Sequence, residues 1–91
     1  MAIAVYFSPE SMTKAQYQAS MKKLEEKGGW PPPECRLHSC FGEDGHLMVF
    51  DVWDSQAAFE KFGETLMPIL AEVGFDPGQP QIMPLENIVQ Q

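Results

Sequence analysis

Residues 2–8 alternate along the chain, with Ile3, Val5 and Phe7 on one side and Ala4, Tyr6 and Ser8 on the other. That pattern predicts a strand with both faces at least partly apolar. Ser8-Pro9-Glu10-Ser11 ends it. Thr13 followed by Gln16 has the spacing of a capping box, which supplies acceptors to the first free amides of a helix. Tyr17, Met21 and Leu24 then recur at intervals of four and three, giving a narrow apolar stripe, and Gly28-Gly29 closes the helix. Three prolines cannot enter a ladder or a helix interior, so Trp30-Pro31-Pro32-Pro33 reads as a stiff spacer.

Residues 35–41 and 46–53 form two further strands, joined through Gly42-Glu43-Asp44-Gly45 as a hairpin. Ser55 is placed to cap a second helix, whose broad apolar face carries Ala58, Phe59, Phe62, Leu66, Ile69 and Leu70. Pro68 falls within that face and predicts a kink or a split near residues 64–67. After Gly74 and the Asp76-Pro77-Gly78 turn, residues 81–89 read as a last strand, with Pro84 arguing for an edge position or a bulge. The order strand, helix, strand, strand, helix, strand predicts an α+β fold. Its form is a four-stranded antiparallel sheet with both helices on one face, in a single domain over residues 1–91.

Neither sheet face is polar. Val5 and Phe7 oppose Ala4 and Tyr6, while Met48, Phe50 and Val52 oppose Leu47, Val49 and Trp53. A sheet with one wet face shows clean alternation, so the face without helices is expected to meet a second copy in a homodimer. At 91 residues the chain also buries only about 60–65% of its unfolded surface, and gains from a partner.

A formal charge of −7 with no Lys/Arg stripe argues against nucleic acid and anionic membrane as partners. No apolar run approaches the roughly 20 residues of a bilayer span, and the amino-terminal segment lacks the basic start of a signal peptide. Cys35 and Cys40 are an odd number of residues apart on one strand, which predicts opposite faces and reduced thiols, as in a cytoplasmic protein. Cys35-x-x-His38-x-Cys40 with His46 superficially offers four ligands. Their side chains are expected to diverge, so no metal is expected. Gly42 to Gly45 lacks a following helix and carries two acids, which rules it out as a phosphate loop.

One cluster carries candidate chemistry. With a hairpin loop of two or four residues, Arg36, His38 and Cys40 share a face with Leu47, Val49, Asp51 and Trp53; an odd loop or a bulge would flip one strand. Asp51 then lies opposite Arg36 or His38, where a carboxylate would hold the imidazole's tautomer. A His–Asp pair beside apolar walls suits proton transfer from a phenolic or enolic molecule, with Trp53 as a stacking wall and Tyr6 sharing the pocket. It equally suits a satisfied polar pair within a dimer interface.

The stretch Val49-Phe50-Asp51-Val52-Trp53-Asp54-Ser55-Gln56-Ala57-Ala58-Phe59 resembles the dimeric α+β-barrel superfamily, in particular small proteins similar to antibiotic-biosynthesis-type monooxygenases. His38, Asp51, Trp53, Ser55, Ala58 and Phe59 carry the likeness, and the order of elements extends it over nearly the whole chain. The resemblance implies a ferredoxin-like fold, dimerisation across the open sheet face, and a pocket near the interface or between sheet and helices. It further implies a cofactor-independent monooxygenase- or isomerase-like enzyme acting on a small aromatic or enolic molecule, with no bound cofactor. On that view His38 accepts a proton, Asp51 orients it, Trp53 stacks and Arg36 anchors an anion. The helical position that often carries His in those monooxygenases is Phe62 here, where it would line the substrate site. The alternative is a non-enzymatic ligand-binding or assembly module.

Overall fold

The capping box forms. In the computed structural model, which describes all residues from Met1 to Gln91, the Thr13 hydroxyl accepts from the Gln16 amide at 3.1 Å. The Thr13 amide in turn donates to Gln16 Oε1 at 3.0 Å. Helix α1 spans Lys14–Lys27 and ends at Gly28, whose φ of 85° suits glycine and turns its N–H back to the carbonyls of Leu24 and Glu25. Asp44, from the hairpin tip, accepts from the Lys14 amide at 2.9 Å and sets a negative group at the amino end of α1.

Helix α2 spans Gln56–Val73, with Ser55 accepting from the Ala58 amide at its start. Pro68 does not split it. Pro68 and Glu64 are both exposed, so the carbonyl that lost its amide partner meets water instead of the core. The broad apolar face seen in the sequence holds the helix to the sheet through Ala58, Phe59 and Phe62, and carries Ile69 and Leu70, both buried.

The strands are β1 (Ile3–Phe7), β2 (Cys35–Glu43), β3 (His46–Trp53) and β4 (Gln81–Pro84). They lie in the order β2-β3-β1-β4, every neighbouring pair antiparallel. This α+β arrangement is ferredoxin-like. β4 is an edge strand, as Pro84 requires, but it is shorter than the sequence suggests. Pro84 pairs with Ile3, and one more bond joins the Leu85 amide to the Ala2 carbonyl.

Asp44-Gly45 forms the two-residue turn, with Glu43 opposite His46, so the ladder sets His38 opposite Asp51. A bulge between Cys35 and Leu37 leaves Arg36 out of the register. The extra residue brings Cys35 opposite Trp53, on the same face as His38 and Cys40, contrary to the simple parity of an unbroken strand. Both thiols are free.

Between sheet and helices, Ile3, Val5 and fully buried Trp53 form the core, with Phe7, Cys35, Ala58, Phe59 and Phe62 packed around them. The other sheet face carries Ala4, Tyr6, Leu37, Phe41, Met48, Phe50 and Val52. Apart from Ser39, whose hydroxyl donates to the Phe50 carbonyl, and the Tyr6 hydroxyl, it is apolar, and it has no helix on it.

Candidate functional site

β2 and β3 bring His38 and Asp51 together: His38 Nδ1 lies 2.7 Å from Asp51 Oδ1. The other imidazole nitrogen, Nε2, lies 2.7 Å from the hydroxyl of Tyr17, which descends from α1 onto the sheet. The second Asp51 oxygen accepts from Trp53 Nε1 at 3.3 Å. A carboxylate only accepts, so Nδ1 carries a proton; in the neutral ring Nε2 is then an acceptor and Tyr17 donates. Burial, with the neighbouring Cys40 thiol and Asp51 carboxylate adding to it, pushes the Tyr17 phenol from its ordinary value of 10.0 up to about 12. Tyr17 therefore keeps its proton at neutral pH. The result is a directed chain from Tyr17 to His38 to Asp51, anchored by Trp53.

This chain ends in an apolar cavity of about 70 Å³ between the sheet and both helices. Phe7, Trp30, His38, Phe62, Leu66 and Phe75 are among its walls, and no Lys or Arg is. The Trp30 indole meets the His38 ring edge-on, with centroids 5.1 Å apart, and stacks on Phe62 at 5.3 Å. Burial also raises the Cys35 thiol to about 11 and moves Cys40 in the same direction, so neither presents a ready thiolate nucleophile.

His38, Asp51 and Phe62 thus meet at one place, but three other expected site residues do not join them there in the expected way. Arg36 sits in the bulge and pairs with Asp54 at the surface, outside the cavity. Tyr6 pairs with Phe50 on the opposite face of the sheet, and its hydroxyl points to Met48 Sδ at 3.1 Å. Trp53 is too deeply buried to stack on a ligand; its indole holds Asp51 while its rings pack on Phe59 and Phe62.

Two residues take the vacant roles. Trp30, read from sequence as part of a spacer, is the aromatic wall, and Tyr17, read as helix stripe, is the polar head of the chain. A signal for Tyr17 did exist. A tyrosine on an apolar stripe needs a partner for its hydroxyl, and His38 and Asp51 are the polar side chains on the facing strands. Both His38 nitrogens are already engaged, and no three His, Cys, Asp or Glu side chains are grouped as a metal would require.

No family model matches the chain, and no curated protein matches it. Among solved structures it is similar to the "Structure of Rv0793 from Mycobacterium tuberculosis", with a TM-score of 0.68 at 16% identity. The match covers 98% of this chain and 100% of that one. The likeness is one of fold.

Proposed function

We propose that this chain is a cofactor-independent enzyme of the antibiotic-biosynthesis-monooxygenase-like kind, moving a proton on a small aromatic or enolic molecule. One observation carries the reading: the Tyr17–His38–Asp51 chain, with both links at 2.7 Å, opens on an apolar cavity. A substrate hydroxyl bound there would pass its proton to Tyr17 as Tyr17 passes its own to His38 Nε2. The imidazolium formed would rest against Asp51, and the substrate enolate against the Tyr17 hydroxyl. Return of the proton to carbon gives an isomerisation with no change in electron count. In the oxygenase variant the enolate would be the electron donor to dioxygen.

The test uses acetylacetone and phenylacetone in D2O, following loss of the exchanging C–H signals by proton NMR. Wild type should accelerate exchange, and His38→Gln should lose roughly a hundredfold or more of that acceleration. Wild-type exchange no faster than buffer would refute the enzymatic reading.

A second reading has its own support, because every buried side-chain nitrogen and oxygen at the site already has a hydrogen-bond partner. A fully satisfied network suits a ligand-binding or assembly module as well as a catalyst. Under either reading the chain works as a homodimer joined through the open sheet face, where Phe41 is 43% exposed. A reducing cytoplasmic setting fits the two free thiols, and no helix is long and apolar enough to cross a membrane.

A further inference from the structure

The cavity and its surroundings restrict what can bind, and the restriction has two parts. The first is charge. No cationic side chain lines the cavity, and both oxygens of Asp51 are already engaged, one by His38 and one by Trp53. The remaining polar capacity facing the space is acceptor capacity: Tyr17 and Ser20 commit their protons to His38 and to the Gln16 carbonyl, while lone pairs on both oxygens are free to accept. An anionic ligand would surrender its hydration and find no Lys or Arg to pair with, and a cationic one would meet only an Asp51 whose oxygens are already engaged. A carboxylate would also meet Asp51 beneath the site in a chain of net charge −7. A neutral molecule with a single hydroxyl donor loses the least.

The second part is size. An apolar cavity of about 150 Å³ holds benzene in a comparable setting, about twice the space of about 70 Å³ found here. A ring can enter only if a wall moves. Trp30 is the wall with somewhere to go. Together with Leu24 and Phe62 it separates the cavity from a second, more polar cleft of about 220 Å³ bounded by Gly28, Gly29, Pro32 and Lys61. Trp30 follows two glycines with φ of 85° and 80°, around which a side chain would find open space. The neighbouring walls Leu24 and Leu70 are buried on helices and have no such freedom.

We propose that this site takes an uncharged single-ring molecule bearing one hydroxyl, which enters by displacing the Trp30 indole from Phe62 into the adjoining cleft. Trp30 thereby sets the upper limit of ligand size. The inference rests on the cavity being a binding site, as argued above, and does not depend on catalysis.

Calorimetric titration of the whole protein with p-cresol and 4-hydroxybenzoate at neutral pH tests the charge rule. The neutral phenol should bind at least about tenfold tighter than the carboxylate. Acrylamide quenching tests the gate in wild type: p-cresol should increase quenching of the one indole that moves, while Trp53 stays fully buried. Trp30→Ala, with Trp30→Leu beside it should the first fail to fold, should raise the affinity for 2-naphthol relative to p-cresol by about tenfold, in line with a released ring-sized volume. Equal affinity for phenol and carboxylate would overturn the charge rule. An unchanged ring-size preference in a folded Trp30 variant would overturn the gate. Loss of p-cresol binding with deuterium exchange intact would sink this inference alone; loss of both would sink the proposed function with it.

Discussion

His38 and Asp51 stand directly opposite each other across the β2–β3 ladder, and their side chains close to 2.7 Å on the face that the helices cover. Asp51 is 4% exposed and holds two donors at once, His38 on one oxygen and Trp53 on the other. Its replacement by asparagine keeps the shape but turns an N–H₂ group toward one of those donors. Asp51→Asn should therefore lower stability by about 1–3 kcal/mol, measured as the shift in urea midpoint. An unchanged midpoint would mean that the carboxylate is not the anchor of the chain.

Tyr17 and Cys35 set an alkaline limit. The folded protein holds these protons to about 12 and about 11, against ordinary values of 10.0 and 9.0. The unfolded chain releases them earlier, so the stability they contribute is complete below their ordinary values and is lost as pH rises through the folded ones. Urea midpoints should be flat up to about pH 9 and fall from there toward about 12. Tyr17→Phe should remove the upper part of that fall, between about 10 and 12, leaving the Cys35 part in place.

Gly42 and Gly28 both have positive φ but differ in surroundings. A Cβ on Gly42 would sit 2.8 Å from the His46 carbonyl oxygen, at a φ of 109°, while one on Gly28 would meet nothing. Gly28→Ala should cost about 1 kcal/mol for the backbone alone. Gly42→Ala adds a clash with backbone in the hairpin and should cost about 2–3 kcal/mol. Thermal melts of the two variants side by side check the order, and a milder Gly42 variant would contradict it.

Phe50 lies on the sheet face that has no helix, beside Tyr6 and opposite Ser39. If that face joins two copies, Phe50→Asp should yield a monomer in sedimentation velocity at micromolar concentration. The charge would have to be buried in the interface without a partner. A wild-type protein that is already monomeric at that concentration would remove the homodimer from the proposal.

Much of this molecule follows from local chemistry written along the chain. The Thr13–Gln16 box, the Ser55 cap, the Gly28 and Gly74 stops and the Asp44-Gly45 turn each depend on residues a few positions apart, so the six elements and the opposition of His38 to Asp51 were open to reading. Periodicity likewise announced that both sheet faces are apolar. What periodicity cannot hold is anything that depends on which distant surfaces meet. Only packing of α1 on the sheet brought the Tyr17 hydroxyl to His38, and only the path of the backbone through Gly28 and Gly29 brought Trp30 over Phe62. The Arg36 bulge escaped for a related reason: one unpaired residue leaves no mark on composition, yet it carried Arg36 to Asp54 and brought Cys35 round to the core. Local hydrogen bonds specify the elements. The contacts between elements, which no short window of sequence contains, decided who sits at the cavity.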